Sequence, residues 1–262
     1  MKEQKLSPFR FLYFDALPST NSYLSSLARE GEAEGLVVVA RTQSAGKGRF
    51  SRRFYSPSDT GIYMSILLRP AFPPEHFPLL TALAGTAAAE AAEEISKKKV
   101  GIKWVNDLYL EGKKIAGILA ESGASEKVNN SLQSNRFVVI GIGINLSMPD
   151  VIPDELVGKI GALFETDEAS DERREAFLAA FLARFYAYYE KMPSHDFLDG
   201  YRARSILTGK QVRLHSAAFD SAKEGGGEAV TVLGIDTDGA LTVRTEKGEE
   251  KHILAGEVTL SI

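Results

Sequence analysis

Residues 103–121 read KWVNDLYLEGKKIAGILAE, and residues 137–145 read FVVIGIGIN. The first stretch predicts short strands near 100–104, 108–110 and 114–121. The second predicts a buried strand over Phe137–Ile144. Between them, the polar, Asn/Ser-rich stretch at 122–136 reads as an exposed hairpin tip. Lys114 leads directly into the apolar run Ile115-Ala116-Gly117-Ile118-Leu119, which puts its ammonium at the edge of a core and not in bulk water. A cation there either pairs with Asp107 or serves a ligand. Gly141 and Gly143 leave room on one face of the later strand, as glycines inside strands do at bulges and close approaches.

Outward from this centre, the pattern continues as sheet plus helix. Residues 9–14 predict a strand, and Pro18-Ser19-Thr20-Asn21 opens a helix to about Glu30. Leu36–Ala40 is almost wholly apolar, as a strand buried on both faces would be. A loop rich in Gly, Ser and Arg spans 41–61, and 62–68 predicts a strand. An Ala-rich helix ends near Ile95, with Leu80, Leu83, Ala87 and Ala91 on one stripe. Asp171 to about Tyr189 gives the clearest helical period, through Phe177, Phe181, Phe185 and Tyr188, a stripe that fits core packing. From about residue 206 the texture changes to short β-rich runs at 210–215, 228–236, 241–245 and 250–260. These are broken by Gly225-Gly226-Gly227 and by Asp238-Gly239. The division predicted is a large domain over 1–205 and a small β-barrel or sandwich over 206–262.

Composition narrows the function. The chain has 262 residues, a net charge of −4, 44% hydrophobic and 25% charged residues, and no cysteine. An acidic balance argues against a nucleic-acid partner bound by bulk electrostatics. Without cysteine there are no disulfides, thiolate nucleophiles or Cys-based metal sites, and a reducing cytoplasm is the expected setting. The opening MKEQKLSPFR has no apolar core of a signal peptide, and no apolar run approaches a membrane span. The Asn129-Asn130-Ser131 sequon reads as incidental.

GxxxxGK[ST], GxSxG and HExxH are all missing. His76, His195, His215 and His252 are scattered singly, against a zinc site or a histidine triad. What remains is Lys, Arg, Asn, Gln, Asp and backbone amides, a set suited to nucleotidyl transfer by positioning and charge stabilisation. Gly46-Lys47-Gly48-Arg49-Phe50-Ser51-Arg52-Arg53 carries four cations in seven residues between glycines that let backbone approach a ligand.

Taken together, PSTN (18–21), TQSAGKGRFSRRFYS (42–56), KWVNDLYLEGKKIAGILAE (103–121), VVIGIGINLS (138–147), GIDTDGALTV (234–243) and ILAGEVTL (253–260) resemble the biotin–protein ligase family over nearly the whole chain. Three positions depart from its usual pattern. Lys47 stands where arginine is common, Val105 where proline is common, and Phe54 where tryptophan is common. Lys47 keeps the charge and loses the bidentate fork. The resemblance is to the short form without a DNA-binding domain.

The resemblance implies an α+β fold. Its catalytic domain would be a mixed β-sheet of the class II synthetase type with helices packed on one face, followed by a small C-terminal SH3-like β-barrel. It implies ATP with Mg²⁺, biotin as substrate, and a biotin carboxyl carrier protein as acceptor, with a homodimer among the family's habits. Lys114 and Arg49 would be catalytic. Ser19, Thr20, Asn21, Gln43, Gly46, Lys47, Gly48, Arg49, Lys114 and Gly117 would hold biotin. Arg49, Arg52, Phe54, Asn106, Asp107, Lys114 and Asn145 would hold ATP and the adenylate, with Asp107 near the Mg²⁺. The rival substrates are lipoate and octanoate, and the rival function is a non-catalytic biotin sensor. Because a mixed anhydride is destroyed by water, residues 43–56 are expected to order as a lid over it.

Overall fold

Ser19 caps a helix by accepting from Ser22 N at 3.4 Å, and that cap fixes where the first helix meets the sheet. In the computed structural model, residues 2–6, 8–125, 135–215, 227–254 and 256–260 are described. The elements are β1 (Lys2–Leu6), β2 (Phe9–Leu17), α1 (Thr20–Arg29), β3 (Leu36–Gln43), β4 (Gly61–Leu68), α2 (Leu79–Ser96), β5 (Gly101–Lys103), β6 (Asp107–Leu110), β7 (Lys113–Ala124), β8 (Arg136–Asn145), α3 (Asp171–Glu190) and α4 (Phe197–Ala203). Five short strands follow: β9 (Gln211–His215), β10 (Glu228–Ile235), β11 (Leu241–Thr245), β12 (Glu250–Ile253) and β13 (Glu257–Leu260). Most of the polar stretch expected as a hairpin tip, with Asn129 in it, and also Gly225 and Gly226, lie outside the described residues.

Strands β1 to β8 form one mixed sheet in the order β1-β2-β3-β4-β8-β7-β6-β5, in which β2 and β3 are parallel and the other pairs antiparallel. The expectation that helices cover one face is corrected here. On β3, Val37 and Val39 join the large core with α2 and α3, whereas Leu36 and Val38 pack with Leu24 and Ala28 of α1 on the other side. Alternation along a strand apolar on both faces requires cover on both faces. The aromatic stripe of α3 is core: Phe177, Phe181 and Phe185 are buried, and half-buried Tyr188 reaches Glu90 at 3.1 Å.

The carboxy-terminal strands form an antiparallel sheet in the order β12-β11-β10-β9-β13. Its inward residues Val212, Val230, Val232, Leu241 and Val243 belong to the same buried cluster as α2 and α4. Trp104 Nε1 donates to Gly239 O at 3.1 Å in the Asp238-Gly239 turn, and Tyr201 OH donates to Val105 O at 3.0 Å. These two bonds hold the Lys103–Asp107 segment against the small sheet and α4. The Trp104–Val105 peptide is cis.

Candidate active site

Ahead of the first turn of α1, the face of the sheet that α1 covers turns into a cleft. Its floor is stripped of side chains: Gly141 and Gly143 of β8 and Gly117 of β7 line it. The Phe54 ring lies on this floor, so close that a Cβ on Gly143 would sit 2.3 Å from its Cε1 and one on Gly117 3.1 Å from its Cε2. The bare strands therefore accept an aromatic ring close against the backbone.

One wall is neutral and hydrogen-bonding. Ser19, Thr20 and Asn21, at the start of α1, are buried. Thr20 N donates to Gln43 Oε1 at 2.8 Å, and Gln43 Nε2 donates to Ser56 Oγ at 3.0 Å. Thr20 Oγ1 stands 3.2 Å from Gln43 Oε1 and 2.7 Å from Ser65 Oγ. Asn21 Nδ2 donates to Glu121 Oε2 at 2.9 Å and to Leu119 O at 3.4 Å.

The other wall is cationic and is supplied by the glycine-bearing loop. Lys47 reaches Glu121 at 3.2 Å. Arg49 donates to Asn106 Oδ1 at 3.3 Å and to Gly256 O at 2.7 Å. Burial holds the Arg49 guanidinium below its ordinary pKa, against the attraction of Asp107 and Glu257. Arg52 makes a two-pronged ion pair with Glu257, both bonds 2.6 Å. Phe50 and Ser51 take left-handed backbone (φ 54 and 61), which residues with side chains rarely adopt.

Lys114 owes its direction to a bulge. In the β6–β7 hairpin, Tyr109 pairs with Lys114 but Leu108 pairs with Ala116, so β7 carries one extra residue. Ile115 and Ala116 both enter the core below. The broken alternation turns Lys114 to the opposite face, where its Nζ would lie 3.4 Å from a Cβ on Gly117. Its backbone is pinned from outside, N to Lys159 O at 3.0 Å and O from Gly161 N at 2.8 Å. Lys114 Nζ stands 2.6 Å from Asp107 Oδ1. This close ion pair sets the ammonium and the carboxylate side by side on the cleft wall. Lys103 also lines the cleft. Burial lowers its pKa, although Asp107 and Glu257 pull the other way.

Comparison with known proteins shows the family. Residues 13–145 match the biotin/lipoate A/B protein ligase family, and residues 222–261 match the biotin protein ligase C-terminal domain. The bifunctional ligase/repressor BirA of Bacillus subtilis is 35% identical over 249 residues, covering 92% of this chain and 71% of that one. The chain belongs to the biotin/lipoate A/B protein ligase family. A biotin–[acetyl-CoA-carboxylase] ligase of Mycobacterium tuberculosis is 27% identical, over 90% of this chain and 86% of that one. A biotin protein ligase from Aquifex aeolicus, solved with biotin and ATP, superposes with a TM-score of 0.73 at 26% identity, covering 96% of this chain and 98% of that one.

In this ligase the cleft gathers Ser19, Thr20, Asn21, Gln43, Lys47, Gly48, Arg49, Arg52, Phe54, Asn106, Asp107, Lys114 and Gly117. Two expected residues stand off its walls. A Cβ on Gly46 would lie 2.4 Å from Phe54 O, so that glycine closes the loop on itself. Asn145, expected at the adenine, donates from Nδ2 to Gly161 O at 2.9 Å and so braces the segment that pins Lys114. Sequence reasoning gave no site role to Lys103, Phe50, Leu119 and Glu257, and counted Arg53 only among the four cations of the loop; all five line the cleft. Lys103 opens the quoted KWVND motif and its charge was a usable signal. Glu257 had none, because it arrives from the other sheet.

Proposed function

We propose that this enzyme joins biotin to ATP, retains biotinyl-AMP, and transfers biotin to a lysine of a biotin carboxyl carrier protein. One observation carries the proposal: a single cleft has a neutral wall of Ser19, Thr20 and Gln43 beside a cationic wall of Lys47, Arg49, Arg52, Lys103 and Lys114. A cyclic urea offers one acceptor and two donors, which hydroxyl and amide side chains match. Carboxylate and triphosphate are both anionic and need cations to meet.

In the first step a biotin carboxylate oxygen attacks the α-phosphorus, the bond from that phosphorus to the bridging oxygen breaks, and pyrophosphate leaves. No proton moves. Lys114 bridges carboxylate and α-phosphate, Arg49 and Lys47 hold anionic oxygens, and Arg52 takes phosphate in exchange for Glu257. Two unit charges about 4 Å apart interact by roughly 4 kcal/mol at an effective dielectric near 20, enough for one lysine to carry a hundredfold or more in rate. Phe54 offers its ring to adenine. Among the described residues no three His, Asp or Glu side chains group as a metal cage. Mg²⁺ would arrive with the phosphates, where Asp107 is the carboxylate that would help hold it and the ion would offset phosphate charge.

In the second step the carrier's neutral lysine amine attacks the acyl carbon, the bond from acyl carbon to phosphate oxygen breaks, and AMP leaves. Asp107 Oδ1 accepts the proton that the nitrogen loses. Residues 1–205 bind both substrates, residues 206–262 close the cleft, and a cytoplasmic homodimer completes the reading. Incubating the protein with biotin, Mg·ATP and an apo-carrier domain should add one biotinyl mass to the carrier. A carrier of unchanged intact mass refutes the proposal. Lipoate is the rival, but its dithiolane offers the neutral wall neither N–H nor carbonyl. Calorimetric titration with both acids separates the two.

A further inference from the structure

Beneath the neutral wall lies a serine that no motif singles out. Ser65 of β4 is fully buried and pairs across strands with Gly141 of β8. The two make a slot for Asn21: a Cβ on Gly141 would sit 2.1 Å from Asn21 Oδ1. Ser65 Oγ lies 2.6 Å from that oxygen and 2.7 Å from Thr20 Oγ1.

The contact lengths favour one order of protons in this network. Asn21 Nδ2 faces Glu121 Oε2 and Leu119 O, both acceptors, so the amide cannot be flipped and Oδ1 must face Ser65. An amide oxygen carries no proton, so the short contact is filled by the hydroxyl of Ser65. That hydroxyl has only one proton. The 2.7 Å contact to Thr20 then takes the proton of Thr20's own hydroxyl, because the other acceptor in reach, Gln43 Oε1, stands farther off at 3.2 Å and already accepts from Thr20 N. The chain runs Thr20 to Ser65 to Asn21, each bond polarising the next.

We propose that Ser65 is a positioning residue for ligand specificity: it draws the Thr20 proton away from the cleft, so that Thr20 meets the ligand as an acceptor only and demands a ring N–H. This rests on the reading of the neutral wall as the place of the biotin urea. A ligand that puts an oxygen or sulfur there sets lone pair against lone pair, the kind of mismatch a polar site rejects strongly. Without Ser65, the Thr20 hydroxyl is free to rotate and to donate instead.

The test uses biotin and its two cyclic carbamate analogues, in each of which one ring N–H is replaced by oxygen. Binding of each is measured by calorimetry to the wild type, Ser65→Ala and Thr20→Val, with thermal melts to confirm folding. The wild type should prefer biotin to at least one carbamate by tenfold or more, on the order of one lost hydrogen bond plus an unpaired lone pair. Ser65→Ala should shrink that preference about tenfold, while saturating adenylation stays within about twofold of wild type. Thr20→Val, which keeps the branched shape, should shrink it too, and adding Ser65→Ala to it should change the preference no further. Equal weakening of biotin and carbamate in Ser65→Ala overturns the inference and leaves Ser65 a packing residue. A wild type that binds biotin tightly and the carbamates equally well overturns the inference alone. A wild type that binds no biotin overturns the reading of the pocket, and the inference with it.

Discussion

Arg52 and Glu257 stand 205 residues apart in the chain and meet at the cleft through two 2.6 Å bonds, one from each terminal guanidinium nitrogen. With Arg49 bonded to Gly256 O beside it, β13 clasps the loop of the large sheet. A phosphate entering the cleft competes with this carboxylate for the same planar fork.

The clasp has a pH signature. Burial pushes the Glu257 pKa up, but the hydrogen bonds and charge of Arg52, helped by Lys103, outweigh it and hold the value below the ordinary 4.5. A depressed carboxylate pKa stabilises the fold above the ordinary value, and that contribution is lost as pH falls through the lower folded value. Both partners are partly exposed, so the pair is worth about 0.2–1 kcal/mol. Glu257→Gln should melt up to about 3 °C below wild type at pH 7, and the gap should close toward pH 3. Melting curves with the same gap at both pH values would contradict this.

Lys114→Ala should lower biotin-dependent ATP–pyrophosphate exchange by about a hundredfold or more, given one removed ammonium beside two anions. The fold should survive, because the Lys114 side chain reaches the cleft and only its backbone is tied to Lys159 and Gly161. Exchange at the wild-type rate would rule out its bridging role.

Gly143→Ala tests the floor. Its Cβ would fall 2.3 Å and 2.6 Å from two carbons of the Phe54 ring, so the ring must leave the strand. Overpacking of this kind costs about 1–3 kcal/mol. The KM for ATP should rise about tenfold or more, with biotin affinity held within about threefold. If biotin and ATP lose affinity together, Phe54 is not an adenine platform.

The loop over residues 43–56 should become protease-resistant when biotin and ATP are added. Besides the Arg49 bonds to Asn106 and Gly256, its ties across the cleft are partly exposed ion pairs, Lys47 to Glu121 and Arg52 to Glu257, each worth about 0–1 kcal/mol. Phe50 and Ser51 add left-handed backbone costing on the order of 1–3 kcal/mol each. Opening is therefore inexpensive until anions bridge the cations. Limited proteolysis that cuts free and ligand-loaded protein at equal rates would remove the lid from the mechanism.

Local chemistry was legible because it is local. The run of four cations between Lys47 and Arg53, the Ser19 cap, the glycines of β8 and the apolar period of α3 announce a cationic loop, a helix start, a bare strand and a core stripe without reference to any distant residue. Simple strand alternation, by contrast, would send Lys114 to the same face as Ala116 and Ile118, into the core. Only the pairing of β6 with β7 reveals the extra residue that turns it outward, and register is a property of two strands together. The same holds for Glu257, brought to Arg52 by the docking of the second sheet, and for Ser65, whose hydroxyl matters only because α1 lays Asn21 and Thr20 on it. Sequence determined which groups were available and the family they belong to. Tertiary structure decided which of them face one another, because contacts between residues far apart in the chain depend on how the strands and helices pack.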